Sequence, residues 1–372
     1  MTGIGALSGL RIADFSRVLS GPYATMLLGD MGAEVIKVEH PVAGDETRSW
    51  GPPWYAGQAT YYLGANRNKT ATGIDLGTES GRAQARALIG QSDVVVQNFR
   101  PGTMERFGLG FDQLAAEFPR LVYCSISGFG SANGADLPGY DLIVQAAGGL
   151  MSITGPDEET PIKTGVALVD VISGLHAVTG ILAALRYRDH TGVGQHVEVN
   201  LFSSLLSALA NQAASYVATG HLPKALGNRH PSIAPYETMN TADRPLAVAA
   251  ANDKLFTKLA QAIQRPDLIS DERFATNPQR VAHREQLVKE LEKTLTRAPA
   301  DHWFALFRQE GVPCSPINGL DQAFELATSL DLDAVVSITC PDTGTTYPQV
   351  ACPIRLSETP ATYRLVPPPL PG

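Results

Sequence analysis

Over residues 1–200, short β-rich runs alternate with stretches of helical periodicity, and that alternation admits few architectures. Parallel strands need a crossover of about a dozen or more residues between them, so strand–helix–strand repetition predicts an α/β fold with a parallel sheet. Candidate strands are Leu10–Phe15, Glu34–Glu39, Thr72–Leu76, Asp93–Gln97, Leu121–Ser127 and His196–Val199. Between the first two, Ser20-Gly21-Pro22 followed by Tyr23–Met31 and Gly32 reads as a capped helix closed by a glycine. Further helices are expected at Glu79–Ser92, Gly139–Leu150 and Asp170–Arg188, the last being the longest, and a helix rich in Leu, Ser and Ala at Leu201–Thr219.

A chain of 372 residues exceeds one ordinary core, which predicts a second compact unit. Residues 221–235 collect His221, Pro223, Gly227, Asn228, Arg229, His230, Pro231 and Pro235, the composition of a linker. Beyond them a strand at Leu246–Ala251 and helices at Asp253–Gln264, Arg280–Thr296 and Ala300–Glu310 suggest a smaller α/β domain. The expected division is 1–200 for the large domain, 201–225 for a linker helix, 226–325 for the small domain and 326–372 for a C-terminal segment. That proline-rich segment is too short for its own core and is expected to pack on the large domain or on another subunit.

A net charge of -8 without a basic block argues against nucleic acid as a partner. Cys124, Cys314, Cys340 and Cys352 are scattered, without CxxC spacing, so neither a disulfide framework nor a metal site is expected. Residues 1–6 show no charged-then-apolar leader pattern, and no uninterrupted apolar run approaches roughly 18 residues. No membrane partner and a cytoplasmic location are therefore the expectation.

Within this frame Lys163-Thr164-Gly165-Val166-Ala167-Leu168-Val169-Asp170 delivers one carboxylate from an apolar run onto the first turn of the longest helix. Unpaired N–H groups and the helix dipole favour the ionised acid there, which is also what a helix-capping Asp worth about 1 kcal/mol would use. Other candidates sit at strand ends, where open α/β sheets bind ligands. Arg17-Val18-Leu19-Ser20-Gly21-Pro22 is not a GxGxxG fingerprint, yet a strand running into a helix N-terminus can hold a phosphate. After Val94–Gln97, Asn98 can hydrogen-bond a base or amide, Phe99 can stack, and Arg100 or Arg106 can pair with phosphate or with local carboxylates. Tyr140 and Asp141 open a helix, and Glu39 ends the second strand, either reading a ribose or simply solvated. Arg48, Asn228, Arg229 and His230 could meet an acceptor carboxylate or be linker residues. No GxSxG elbow occurs, Cys124 has no obvious activating base, and His176 is six residues from Asp170, off its helical face.

The ordered set Gly9–Phe15, Gly21-Pro22-Tyr23-Ala24, Gly32–Glu39, Gly44–Arg48, Asn66-Arg67-Asn68-Lys69, Asn98–Gly102, the Gly165–Gly180 segment and Gly311–Ile317 resembles the class III CoA-transferases of the CaiB/BaiF type. The resemblance implies a Rossmann-like large domain, a smaller α/β domain and an interlocked ring-like homodimer. It implies an enzyme moving CoA from an acyl-CoA donor to a carboxylic acid through aspartyl anhydride and aspartyl-CoA thioester intermediates on Asp170. No tightly bound cofactor is implied, CoA and acyl-CoA being substrates. The family's CoA contacts fall on Leu19, Ser20, His40, Asp75, Leu76, Asn98, Phe99, Arg100, Arg106, Tyr140 and Asp141. Leu19 stands where formate-handling members carry glutamine, and His40 where many members carry arginine. The α-methylacyl-CoA racemases of the same fold use a His and Asp pair, and the histidine position is Tyr140 here, which favours transfer over racemisation; a noncatalytic acyl-CoA-binding homologue is the third reading. The family's glycine-rich covering loop maps to Ala247–Asp253, which contains no glycine.

Overall fold

The computed structural model describes residues 5–371 and contains a six-stranded, all-parallel sheet. In spatial order its strands are Lys69–Gly73, Glu34–Glu39, Arg11–Asp14, Val94–Gln97, Val122–Ser127 and His196–Asn200. Counted along the chain this is the Rossmann order, with its switch point between Arg11–Asp14 and Val94–Gln97. Successive residues of a strand face opposite sides, and both sides are covered. Ile12, Val94, Val96, Val122 and Cys124 pack with Leu27, Leu28, Ala177 and Ile181 from helices Ser20–Asp30 and Leu168–Thr191. Ala13, Phe15, Val95 and Tyr123 pack on the other side with Ala85 and Ile89 of helix Glu79–Gly90.

One expected strand lies three residues early. The chain pairs Val35 with Lys69 through Glu39 with Gly73, so the strand is Lys69–Gly73 rather than Thr72–Leu76. A charged residue opens it because the Lys69 ammonium is buried against a carboxylate, which an apolar pattern cannot signal. The helix expected over Leu201–Thr219 breaks at Ala210, which has φ 42°, into Leu201–Ala208 and Ala210–Thr219. The helix expected from Gly139 to Leu150 is shorter, Asp141–Ala147, with Tyr140 extended at its N-cap. Helix Leu168–Thr191 is long and apolar enough to cross a membrane by length and composition alone. Here it is a core helix, with Val169, Ala177, Ile181 and Ala184 fully buried.

Contacts divide the chain into two compact units: residues up to Met151, Lys163–Pro223 and from Leu332 onward form one, and Ser152–Ile162 with Lys224–Asp331 the other. The second unit is α/β, with an antiparallel sheet in the order Cys314–Pro316, Leu246–Ala249, Tyr236–Met239. Its core joins Leu246 and Val248 to Phe256, Leu287, Leu291, Trp303 and Phe307 from the surrounding helices. The strand ends at Ala249, and Asn252 caps the next helix through the Leu255 N–H, so no glycine loop forms there. In the first unit the C-terminal segment forms a hairpin, Val335–Thr339 with Thr346–Val350, and then runs along the parallel sheet. Thr362 N donates to Asp30 O at 2.8 Å, and Arg364 Nη2 donates to Gly29 and Ala33 carbonyls.

The loops after the first two strands rest on buried ion pairs. Lys69 Nζ donates to Asp14 Oδ2 at 3.1 Å and Lys37 Nζ to Asp45 Oδ2 at 2.8 Å, with all four side chains fully enclosed. The same ammonium groups donate to the carbonyls of Pro22 and Ser16, each at 2.9 Å, which ties both loops down. Burial alone would raise Asp14, but Lys69, Lys37 and hydrogen bonds from Ser16 and Thr25 hold it below the ordinary carboxylate value. Burial likewise opposes ionisation of Asp45, and Lys37 and Thr47 bring it below that value.

Groups with lowered carboxyl pKa values stabilise fully above about pH 4, and the contribution is lost as pH falls through the folded values. Replacing Lys69→Met strands Asp14 as an uncompensated buried charge and is expected to cost about 3–5 kcal/mol in urea unfolding. The double change Asp14→Leu, Lys69→Met should recover most of that loss. A double variant as unstable as the single one contradicts this account.

Candidate active site

Asp170 is the third residue of helix Leu168–Thr191, facing the turn that opens helix Ser20–Asp30. Gly174, one turn further along the same face, makes that approach possible. A Cβ there would sit 2.7 Å from the Ser20 carbonyl oxygen, so any larger residue separates the two helices. With the helices in contact, the Ser20 hydroxyl and the Asp170 carboxyl line the same cleft, and Ser20 favours the ionised acid. On the opposite side Gly128 and Gly139 meet with too little room for a side chain on either, which brings the end of strand Val122–Ser127 against the turn carrying Tyr140 and Asp141.

The N–H groups at the start of the long helix serve Asp141 and not Asp170. Asp141 Oδ1 accepts from Val169 N at 2.8 Å and from Asp170 N at 3.3 Å. Its Oδ2 accepts from Gln145 Nε2 at 2.5 Å, and Gln145 Oε1 accepts from Thr164 N at 3.0 Å. The expectation that helix-start donors favour an ionised Asp170 is therefore corrected. Burial, then the Asp141 carboxylate, push Asp170 up to about 7, against the opposing influence of the Ser20 hydroxyl.

Asp170 opens into a cleft of about 170 Å³ walled also by Arg17, Phe99, Arg100, Ser127 and Tyr140. The cleft spans the switch point, at the carboxyl ends of the strands, where open α/β sheets bind ligands. Asn98 stitches the two sides together: its Oδ1 accepts from Arg17 N at 2.8 Å and its Nδ2 donates to Arg17 O at 2.7 Å. The Asn98 amide is thus taken up by backbone and does not read a base. Val18 turns the Arg17–Ser20 loop with φ 66°, a left-handed conformation that strains a β-branched residue by about 1–3 kcal/mol. Leu19 is the N-cap residue of the helix that Ser20 begins.

The remaining sequence-derived positions fall into two places. His40, Asp75 and Leu76 gather where strands Glu34–Glu39 and Lys69–Gly73 end. His40 Nδ1 accepts from Val42 and Ala43 N–H groups, leaving Nε2 4.0 Å from Asp75 Oδ1, and the Leu76 carbonyl accepts from Arg82. The Arg100 side chain is exposed with no protein hydrogen bond or ion pair among the described residues, whereas Arg106 turns to Thr103 Oγ1 at 3.0 Å. Glu39 and Arg48 are unavailable to a ribose or an acceptor acid, because they form a bidentate pair at 2.7 Å that Tyr62 also joins. Asn228, Arg229 and His230 bond within the second unit, to Thr238, Leu226 and Tyr236 respectively.

Two residues of the first unit escaped sequence reasoning. Tyr61, edge-on to Trp50 at 5.0 Å, is pushed up to about 12 by burial and by the charges of Asp170 and Asp141. Glu46 faces Arg17 across 3.7 Å. Only the density of aromatics from Trp50 to Tyr62 hinted at either. Cys124 is buried in its strand, and burial pushes its thiol up to about 12, so it is no nucleophile. No group of His, Cys, Asp and Glu suited to a metal ion exists among the described residues.

Residues 7–372 match the family model described as CoA-transferase family III. The chain belongs to that family. A succinate–glutarate CoA-transferase of Agrobacterium fabrum is 39% identical, over 96% of this chain and 91% of its own. An acetyl-CoA:oxalate CoA-transferase of Acetobacter aceti is 39% identical, over 87% of this chain and 83% of its own. The crystal structure of a CAIB/BAIF family protein from Brucella suis superposes with a TM-score of 0.87 at 39% identity, covering 98% of this chain and 96% of that one. The protein is an acyl-CoA:carboxylate CoA-transferase, with CoA and acyl-CoA as its substrates.

Asp170, titrating near 7, loses its charge as pH falls through that value, and any activity that needs its carboxylate is lost with it. The expected profile is a kcat/KM for acyl-CoA that drops about tenfold per pH unit below about 7. Asp141→Asn retains an oxygen for the Val169 and Asp170 N–H groups but removes the charge, so the midpoint should move down. It should stay above the ordinary carboxylate value, because burial is the larger cause. An unmoved midpoint means that the two carboxyls are not coupled.

Proposed function

We propose that Asp170 is the covalent nucleophile of CoA transfer and that the acids exchanged are small dicarboxylic acids. The observation that carries the first part is the placement of the Asp170 carboxyl in the switch-point cleft beside Ser20, where burial and Asp141 push it up to about 7. Such a group is ionised in half the molecules at neutral pH and is a better nucleophile than a carboxylate of ordinary pKa. The Asp170 carboxylate attacks the thioester carbonyl of acyl-CoA, and CoA leaves as the thiolate, giving an acyl-aspartyl anhydride. The thiolate then attacks the aspartyl carbonyl and expels the donor acid, leaving an aspartyl-CoA thioester. An acceptor carboxylate attacks that thioester, the thiolate leaves again, and its return to the acceptor's acyl carbon yields the new acyl-CoA and free Asp170. The anhydrides survive only where water is excluded, which suits a nucleophile already half-buried.

The second part is supported by the named relatives, whose acids are succinate, glutarate, acetate and oxalate, three of the four being dicarboxylic. CoA is assigned to the strand-end side of the cleft, with Leu19, Ser20, Asn98, Phe99, Tyr140 and Asp141 forming the wall near the thioester. Arg100, Arg106, His40, Asp75 and Leu76 lie along the outer strand ends, where Arg100 in particular can meet a phosphate. A homodimer, interlocked as the family resemblance implies, is supported by apolar side chains left exposed on the first unit, among them Leu175, Leu206, Val217 and Leu222.

Incubation with acyl-CoA followed by hydroxylamine should leave a hydroxamate on Asp170, located by peptide mass spectrometry. Asp170→Ala should abolish turnover while keeping CoA affinity within about tenfold, since the carboxyl contributes to chemistry more than to binding. Exchange of substrate α-hydrogen with deuterated water, without an Asp170 adduct, defeats the proposal in favour of racemisation. Light scattering on the purified chain should give twice the chain mass, and a monomer at micromolar concentration contradicts the dimer.

A further inference from the structure

Arg17 has no part in the steps above, yet it shares the cleft with Asp170. It precedes Ser20, which lines the same cleft, by three residues on the same strained turn. Its guanidinium lies over the Phe99 ring, 4.8 Å from the centroid, which fixes the plane of the fork. Its one carboxylate partner among the described residues is Glu46, at 3.7 Å, with the side chains 45% and 40% exposed. That separation is too long for a hydrogen bond, and an ion pair this exposed holds its members weakly. Arg48 shows the contrast, held by Glu39 at 2.7 Å and largely enclosed. The N–H donors of the Arg17 side chain therefore make no hydrogen bond to any acceptor among the described residues, and they match a carboxylate bidentately.

We infer that Arg17 is the specificity-determining residue that receives the far carboxylate of a dicarboxylic acid whose near carboxyl reacts at Asp170. The inference rests on the transferase reading through Asp170 and adds the residue that distinguishes diacids from monoacids. Glu46 is the exchangeable counter-ion: the acid takes its place on the guanidinium, and the loose pairing makes that exchange easy. Arg100, exposed and without a carboxylate partner among the described residues, is the cleft's other cation and serves the phosphates of CoA. The two guanidinium groups thus divide the anionic ends of the two substrates between them.

The test uses the full chain with acetyl-CoA as donor and, as acceptors, glutarate and the monoacid of equal length, valerate. Arg17→Met should lower kcat/KM for glutarate by about thirtyfold or more while leaving valerate and the KM for acetyl-CoA unchanged. Arg17→Lys should recover part of the glutarate activity. Glu46→Gln should lower the KM for glutarate severalfold, a gain that misfolding cannot produce. Arg100→Met should raise the KM for acetyl-CoA equally with both acids. If Arg17→Met slows both acids alike or raises the KM for acetyl-CoA, Arg17 belongs to CoA and the inference fails. A wild-type chain that prefers valerate overturns it while the transferase reading stands. A chain that uses neither acid and forms no Asp170 adduct overturns both.

Discussion

Two ammonium groups enclosed under the strand ends hold the catalytic geometry in place. Lys69 and Lys37 each neutralise an equally buried aspartate and donate to a loop carbonyl. Those carbonyls belong to Ser16 and Pro22, which bracket the turn carrying Arg17, Val18, Leu19 and Ser20. A strained residue such as Val18 persists only where its surroundings over-determine it, and buried charge pairs with no room to rearrange supply that determination. Ser20 reaches Asp170 because the floor beneath its turn cannot relax.

The same logic of enclosure acts on Asp170 with the opposite sign. Asp14 and Asp45 are buried with cations and ionise easily, whereas Asp170 is partly buried beside Asp141, with the Ser20 hydroxyl as the neighbour that favours its charge. Asp141 contributes twice, by capping the long helix through two N–H groups and by placing a negative charge near Asp170. A neutral cap would satisfy the helix as well. The charge makes the neighbouring carboxyl more basic and hence more reactive toward a thioester, at some loss of its ionised fraction.

Much of the large-domain sheet could be read from alternation alone, because strands buried on both faces carry continuous apolar runs such as Val94-Val95-Val96. The exception is instructive. Strand Lys69–Gly73 opens on a lysine whose charge is matched 55 residues away in sequence, and no local pattern announces such a partner. The cleft shows the same boundary. Strand-end motifs identified Ser20, Phe99, Arg100 and Tyr140, which do line one cleft with Asp170. What they could not disclose is how polar groups are already engaged: Asn98 with the Arg17 backbone, Glu39 with Arg48, and the helix-start N–H groups with Asp141. Hydrogen-bond saturation is a property of three-dimensional neighbours, and it removes candidates that residue type alone retains.

The Asn98 stitch across the switch point fixes the width of the crevice, since an amide bonded to both the N–H and the carbonyl of Arg17 closes a two-point clamp between neighbouring strands. A cycle in which CoA remains while one acid departs and another enters asks for unequal residence times from one site. A clamped crevice retains the large, many-contact passenger, and the turnover of small acids is then decided by side chains at its lip. Substrate range can drift in such a scaffold by changing a few exposed residues, with the chemistry and the hold on CoA left untouched.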